Sequence, residues 1–138
     1  MKENLVQTPF NYTGSKYKML QQLLPEFDYT KDTFVDLFCG GGSVWSNILD
    51  KYKKVIANDI IEDLVNIQKS LLESDSLIDK TKNLNPGKDN KEDFLKLRDS
   101  YNNDKSPEKL WALMLSSTNN MMRFNKKFKY NQTYGNRG

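Results

Sequence analysis

The sequence contains no histidine and a single cysteine, Cys39, among its 138 residues. These absences exclude internal disulfides, cysteine-based zinc clusters, histidine metal sites and serine–histidine triads. Cys39 is predicted to be a small packed residue and not a nucleophile, because no histidine is present to activate its thiol. We therefore expect a protein without a metal centre.

Long hydrophobic runs are also missing. No stretch approaches the ~20 apolar residues that cross a bilayer, and residues 1–6 have no apolar signal region. Hydrophobic residues make up 37% of the chain and the mean hydropathy is −0.77. We expect a cytoplasmic protein of one domain, or of one domain with a small appendage, that has no membrane partner.

Acidic residues are absent after Glu108. Residues 105–138 contain seven lysines and arginines against one acid, although the net charge of the whole chain is only +3. Aromatic side chains alternate with these basic ones, a pattern typical of a nucleic-acid-binding surface. The alternative is a solvated basic tail.

A glycine loop is the most informative feature that is present. Residues 33–44 read Thr-Phe-Val-Asp-Leu-Phe-Cys-Gly-Gly-Gly-Ser-Val, and a second apolar run ends at Asn58-Asp59, so that Asp59 lies 19 residues after Gly40. In nucleotide-binding βαβ units, an acid about 20 residues past the glycine turn binds a ribose. The loop lacks the spaced glycines of a pyrophosphate-binding turn, and no P-loop occurs, which favours S-adenosylmethionine over NAD. The alternative is a simple glycine turn with Asp59 as a helix N-cap.

Hydrophobic periodicity predicts an α/β chain that begins with a parallel β-α-β-α unit. We expect strands over 33–38 and 54–58, helices over 16–24, 43–52, 60–72, 92–101 and 106–120, and a hairpin or extended arm over 121–138. The first strand is apolar on both faces apart from Asp36, as is typical of a buried parallel sheet. Pro25 is expected to end the first helix, Ser106 to cap the last one, which begins at Pro107, and Met121 and Met122 to end it. The polar stretch 73–90 indicates a boundary, so we predict domains over 1–74 and 75–138.

Three segments together resemble the Dam-type (D12 class) DNA adenine-N6 methyltransferases over about residues 9–137. They are Pro-Phe-Asn-Tyr-Thr-Gly-Ser-Lys at 9–16, the glycine loop at 34–43 with Asn58-Asp59, and Asn-Asn-Met-Met-Arg-Phe-Asn at 119–125. The resemblance implies an incomplete Rossmann-like S-adenosylmethionine methyltransferase fold with a helical and hairpin target-recognition insertion. It also implies double-stranded DNA as the partner, usually at a GATC site, and a place in restriction-modification.

The resemblance implies a role for each residue that matches a family motif. It assigns cofactor binding to Tyr12, Lys16, Asp36, Phe38, Cys39, Gly40, Gly41, Gly42, Ser43 and Asp59. It assigns DNA binding to Asn11, Arg123, Asn125, Lys126, Lys127, Lys129 and Arg137. The chemistry agrees, since arginine suits guanine, asparagine suits adenine and lysines suit phosphates. Tyr12 as a packing aromatic and Lys16 as a solvated lysine are the alternatives.

The chain departs from the family pattern in its hairpin and in one catalytic motif. Phe128 stands where the family usually has a glycine, Thr133 where it has a proline, and Asn11 where some relatives have a lysine. The family's Asp-Pro-Pro-Tyr motif, which holds the flipped adenine, occurs nowhere in the sequence. The chain is therefore expected to be inactive alone. It is the N-terminal piece of a longer enzyme, one half of a split enzyme whose complementing chain carries Asp-Pro-Pro-Tyr, or a non-catalytic binder such as a decoy or anti-restriction factor.

Overall fold

The computed structural model of this protein describes residues 4–73, 76–84, 86 and 90–135. The chain divides into two compact units. The first unit comprises Met1–Pro9 and Gly14–Ile60, and the second comprises Phe10–Thr13 and Ile61–Gly138.

The described residues form a mixed α/β structure with two small parallel sheets. In chain order, its strands and α-helices are β1 (Asn11–Tyr12), α1 (Leu20–Leu23), β2 (Thr33–Asp36), β3 (Lys54–Ala57), α2 (Glu62–Glu73), α3 (Ser76–Thr81), α4 (Lys91–Asn103), α5 (Pro107–Ser116) and β4 (Met121–Met122). Short 3₁₀ helices span Tyr17–Met19, Leu24–Glu26, Trp45–Asn47 and Thr118–Asn120. The α/β class is confirmed, whereas the Rossmann-like arrangement stays a prediction.

In the first unit, β2 and β3 pair in parallel from Thr33 opposite Lys54 to Asp36 opposite Ala57, as the crossover pattern predicted. Both strands end earlier than expected. The Asn58 backbone N–H still donates to the Asp36 carbonyl at 2.8 Å, but the Asn58 carbonyl accepts from the Cys39 N–H at 2.9 Å. The glycine loop therefore begins where the ladder stops.

Side-chain alternation gives this two-stranded sheet one covered face. Phe34 and Val55 pack against a cluster of buried residues, which are Leu20, Leu24 and Ile48. Val35 and Ile56, which point the other way, are 49% and 40% exposed. The expectation of strands buried on both faces is wrong for the described residues.

The helix predicted over 43–52 is wrong, because only Trp45–Asn47 is helical and it is a 3₁₀ turn. The Asn47 side chain donates to the Ser43 carbonyl at 2.8 Å, which is the acceptor that the Asn47 backbone N–H would use in an α-helix. That N–H bonds the Val44 carbonyl instead, at 3.0 Å. Asparagine thus diverts the backbone from the helix that the apolar spacing favoured.

The helix predicted over 16–24 is present as three short pieces, since α1 is flanked by the 3₁₀ helices Tyr17–Met19 and Leu24–Glu26. Pro25 lies in the first turn of the last piece and does not end the helical segment. A proline is tolerated there because the first N–H groups of a helix have no intrahelical acceptor.

In the second unit, α2, α3 and α4 all contact α5. Helix α5 is buried along most of its length because seven of its ten residues are apolar, and it begins as predicted at Pro107 after Ser106. The Ser106 hydroxyl accepts the Lys109 N–H at 3.3 Å, which satisfies one of the free donors of the helix N-terminus. The predicted helix over 92–101 is also present, as α4.

Helix α5 ends at Ser116 and not near Asn120, and Met121–Met122 form β4, so the prediction that they end a helix is wrong. Asn119 and Asn120 have φ angles of 58° and 51°, in the left-handed region that interrupts a helix. Strand β4 pairs in parallel with β1, and the buried Met122 lies opposite Tyr12.

After β4 the chain folds back on itself, which agrees with the hairpin of the prediction. Antiparallel bridges join Phe124 to Tyr130 and Ser117 to Tyr134. Tyr130 is buried, and its hydroxyl donates to the Met121 carbonyl at 2.9 Å. Tyr130, one of the aromatic residues among the basic ones of the C-terminal region, therefore belongs to the core of the second unit.

The main boundary between the two compact units follows Ile60, whereas the domains were predicted over 1–74 and 75–138. Helix α2 belongs to the second unit because Leu64 and Ile67 are buried in the core that α5 organises. The predicted division, which separates cofactor binding from target recognition, stays a prediction about function. Within the described part of the chain, every helix is too short or too polar to span a membrane.

Candidate functional site

The glycine loop joins the end of β2 to the Trp45–Asn47 turn. The Gly42 N–H donates to the Cys39 carbonyl at 2.8 Å, which closes the loop. Gly40 and Gly42 have φ angles of 50° and 84°, a conformation that residues with a Cβ adopt only at a cost. Gly40, Gly41 and Gly42 are all buried. The run of glycines is therefore required by the backbone path at two of its three positions.

Asp59, the acid after β3, lies against this loop. Its Oδ2 accepts a hydrogen bond from the Gly40 N–H at 3.0 Å. The carboxyl ends of adjacent parallel strands meet at one edge of a sheet, which brings the end of β3 to the loop that follows β2. The sequence spacing of the loop and the acid is thus matched by direct contact.

Asp36, the last residue of β2, places a second carboxylate beside the loop. The Trp45 backbone N–H bonds this carboxylate. The Oδ2 atom is buried and has no hydrogen-bond partner among the described residues. Burial raises the pKa of Asp36, the Trp45 hydrogen bond opposes that shift, and the charge of Asp59 adds to it. A buried carboxylate oxygen without a donor marks a place where a donor group would be stabilised.

Cys39 is buried within the loop, as its packing role predicted. Burial raises the pKa of its thiol to about 11, and the carboxylates of Asp36 and Asp59 contribute to that shift. The thiol is therefore protonated at neutral pH and is a poor nucleophile. Burial is the main cause of this shift, and the two carboxylates beside the loop add to it through their negative charge.

The segment before α1 contacts the loop through a residue that the sequence did not single out. The Ser15 and Ser43 hydroxyls are 2.9 Å apart, and Ser15 Oγ also accepts the Tyr17 N–H at 3.3 Å. Ser43 is buried, whereas Lys16 is exposed. The signal for Ser15 in the sequence was its place in the 9–16 segment, directly after Gly14.

The two predicted aromatic cofactor residues have different environments. Phe38, at the start of the loop, is 89% exposed. Tyr12 lies on β1 in the second unit, where it is half-buried and packs against the core of that unit. For Tyr12 the contacts agree with the packing alternative.

Most of the predicted DNA-binding residues lie in or beside residues 125–129, which we name the basic turn. Arg123, Lys126, Lys127 and Lys129 are exposed. Asn125 is also exposed, but its side-chain oxygen accepts the N–H groups of Lys127 and Lys129 at 2.9 and 3.1 Å. That oxygen is therefore engaged within the turn, where a bidentate contact with adenine would compete with it.

Two further predicted DNA-binding residues complete the set. The Asn11 side chain donates to the Asn119 carbonyl at 2.8 Å, which ties β1 to the left-handed turn before β4. Arg137 lies outside the described residues. Among the residues that are described, no group of three potential metal ligands occurs.

A family profile and three related proteins agree on the family to which this chain is similar. The profile of the D12 class N6 adenine-specific DNA methyltransferases matches residues 12–138. Type II methyltransferase M.FokI of Planomicrobium okeanokoites is 36% identical over 136 residues, which cover 94% of this chain and 21% of that protein. Modification methylase StsI of Streptococcus sanguinis is 35% identical (94% of this chain, 20% of that protein). Modification methylase LlaI of Lactococcus lactis subsp. lactis is 31% identical (94% and 22%). The chain spans about a fifth of the length of these relatives.

Proposed function

This chain belongs to the D12 class N6 adenine-specific DNA methyltransferase family, and from that premise we propose that it supplies the S-adenosylmethionine loop and a DNA-recognition segment of a site-specific adenine-N6 methyltransferase. Its relatives are modification methylases, which supports a role in restriction-modification. The observation that carries the cofactor assignment is the buried Asp36 Oδ2, which has no donor among the described residues.

The residues at the loop fit this cofactor in charge and in hydrogen bonding. S-adenosylmethionine has a sulfonium and an ammonium group, which the carboxylates of Asp36 and Asp59 beside the loop would attract. Burial is the main cause of the raised pKa of Cys39, and these two negative charges add to it. Asp36 would accept a hydrogen bond from the cationic amine. Asp59 would accept from ribose hydroxyls, and the glycines allow close approach of the backbone. When bound, the cofactor supplies an electrophilic methyl group.

The adenine side of the reaction requires groups that residues 1–138 do not contain. Methyl transfer needs the base held with its N6 amine aimed at the methyl group, and no Asp-Pro-Pro-Tyr string is present. We assign that role to sequence outside these residues, either in a longer chain or in a complementing one. A non-catalytic cofactor- or DNA-binding protein derived from such an enzyme is the second candidate, favoured by the missing motif.

The first experiment is a calorimetric titration of the purified chain with S-adenosylmethionine, in the parent and in Asp59→Ala. We expect the substitution to abolish detectable cofactor binding and to leave binding of duplex DNA unchanged, because Asp59 lies at the loop and not in the basic turn. Asp50→Ala is the matched control, since Asp50 is an exposed aspartate of the same unit. Equal titration curves for the parent and Asp59→Ala would contradict the cofactor assignment.

The catalytic proposal is tested by adding a chain that carries Asp-Pro-Pro-Tyr, such as the remaining part of a relative. Methylation of adenine in duplex DNA is expected only in the mixture. If the mixture binds cofactor and DNA and yet transfers no methyl group to DNA, the non-catalytic alternative is favoured.

A further inference from the structure

The basic turn, which joins the antiparallel segments of the C-terminal region, is closely held by its own hydrogen bonds. The Asn125 N–H donates to the Lys129 carbonyl at 2.8 Å, and the Phe128 N–H donates to the Asn125 carbonyl at 2.9 Å. The Asn125 side-chain oxygen accepts two further backbone N–H groups, those of Lys127 and Lys129. The conformation of the turn is therefore fixed without any bound partner.

Phe128 occupies an unfavourable place in the basic turn. Its φ angle is 58°, in the left-handed region where a Cβ is strained and glycine is not. The side chain is 43% exposed, so burial offsets this strain only in part. Phe124 differs, because it is half-buried and packs edge-on against Tyr130 with ring centroids 5.9 Å apart. A residue with a strained backbone angle persists where the surrounding structure holds it in that conformation, and such residues cluster at functional positions.

Hydrogen bonds from neighbouring residues hold the basic turn in this conformation. Lys105 Nζ donates to the Phe128 carbonyl at 2.6 Å and pairs with Asp63 Oδ2 at 2.7 Å. The Asn102 side chain bonds the Tyr130 backbone twice, donating to its carbonyl at 3.1 Å and accepting from its N–H at 2.9 Å. The end of α4 and the segment that follows this helix therefore hold the chain at Phe128 and again at Tyr130.

The charge of the basic turn suits a polyanionic partner. Lys126, Lys127 and Lys129 are exposed around Phe128, and no acidic residue follows Glu108 in the sequence. Lysines that contact phosphates give affinity without sequence information. An exposed aromatic among them is the arrangement by which proteins stack on bases or insert between base steps.

We propose that Phe128 is an apolar wedge that enters the base stack of duplex DNA while the lysines of the basic turn hold the phosphates. This inference rests on the proposed function, because unstacking lowers the cost of extruding a target adenine. Phe128 would then contact the DNA directly, and Asn125 is the positioning residue, because it acts through the turn that it closes. The role of a wedge explains both why the Phe128 ring is exposed and why its strained backbone is retained.

The test compares two duplexes of the same length, one intact and one in which a single base is replaced by an abasic residue. The abasic duplex has already lost one stack, so a wedge enters it at lower cost. We expect the parent chain to bind the abasic duplex about fivefold more tightly, which corresponds to the lower end of what one base–aromatic stack contributes. Phe128→Gly is expected to reduce that preference to about one, and Phe128→Trp is expected to retain it.

Two controls separate the wedge from loss of folding and from loss of charge. Phe128→Gly is expected to unfold at a higher urea concentration than the parent, because glycine accepts the left-handed backbone without strain. Lys126→Ala is expected to keep the preference for the abasic duplex and to lower the slope of log affinity against log salt by about 0.9.

The outcomes distinguish failure of the wedge from failure of the proposed function. A parent chain that binds both duplexes with equal affinity overturns the wedge alone, as does a Phe128→Gly chain that retains the full preference. A folded chain that binds neither duplex at low salt overturns DNA binding and the wedge together.

Discussion

Replacing Asp36 by asparagine isolates the contribution of one carboxylate to the folded state and to the ligand site. The substitution keeps the size of the side chain and an oxygen that can accept the Trp45 N–H. It removes the negative charge beside Asp59 and replaces the buried Oδ2, which lacks a donor among the described residues, by an uncharged group. We expect Asp36→Asn to stabilise the unliganded chain and to weaken its binding of S-adenosylmethionine.

The magnitude follows from the cost of burying an acceptor without a donor, about 1–3 kcal/mol. The amide that replaces it also lacks a partner, but a neutral group costs less to bury than a charged one. A net gain of about 1 kcal/mol in the free energy of unfolding at pH 7 is therefore expected.

The shift in the pKa of Asp36 determines how the stability difference between Asp36→Asn and the parent changes with pH. The pKa of Asp36 is raised from its ordinary value of 3.8 in the folded chain, chiefly by burial. A raised carboxyl pKa contributes stability that is fully present below the unfolded pKa and is lost as the pH rises through the folded pKa. The advantage of Asp36→Asn should thus be smallest below pH 3.8 and should grow as the pH rises towards neutrality.

Urea unfolding of the parent and of Asp36→Asn at a series of pH values is the assay, with calorimetric titration of the cofactor at pH 7. Asp50→Asn is the control, since it removes a carboxylate from an exposed position of the same unit. A parent chain that is more stable than Asp36→Asn at pH 7 would refute the reasoning. So would a difference in stability that does not depend on pH.

Three other predictions concern the return of the C-terminal segment, the glycine loop and the basic turn. Gly135→Ala should lower the free energy of unfolding by about 1–3 kcal/mol, because its Cβ would lie 2.5 Å from the Ser117 carbonyl oxygen. Gly14→Ala, whose Cβ would meet nothing within 4 Å, should cost only the strain of its φ of 83°, about 1 kcal/mol, and should be the less destabilising of the two; a larger loss for Gly14→Ala than for Gly135→Ala in urea unfolding would contradict this argument. Cys39, with its pKa of about 11, should be alkylated at pH 8 much more slowly than a free thiol, and a rate equal to that of glutathione would be inconsistent with its burial. Asn125→Ala should lower the affinity for DNA and reduce the preference for the abasic duplex, because it loosens the turn that presents Phe128, and it should speed amide exchange at Lys127 and Lys129, whose N–H groups the Asn125 side chain accepts; unchanged exchange would show that the turn does not depend on this side chain.

The parts of the fold that followed from the sequence are those that depend on hydrophobic pattern and strand order. The parallel pairing of β2 and β3 and the approach of Asp59 to Gly40 both follow from two apolar runs joined by a crossover. Helix α5 was predictable at its start because Ser106-Pro107 is a local signal. Each of these features requires only short-range chemistry or a general rule of topology.

The parts that did not follow depend on side chains that bond the backbone and on contacts distant in sequence. The Asn47 amide, which takes the Ser43 carbonyl, removed a helix that apolar spacing favoured. Strand β4 depends on pairing with β1, a segment far earlier in the chain, since Asn11 lies opposite Met121. No periodicity within either segment carries that information, because two residues are too few to show a period.

Two local features of this chain are unfavourable for folding, and they lie one in each compact unit. Asp36 keeps a buried carboxylate oxygen without a described donor, and Phe128 keeps an aromatic residue at a φ of 58°. Sequences that specify a fold generally satisfy local rules, and they break them where function requires it. If that holds here, Asp36→Asn and Phe128→Gly should each stabilise the chain while each weakens a different ligand. The opposite signs of the two effects, on stability and on binding, are what distinguish a functional position from an ordinary defect in packing.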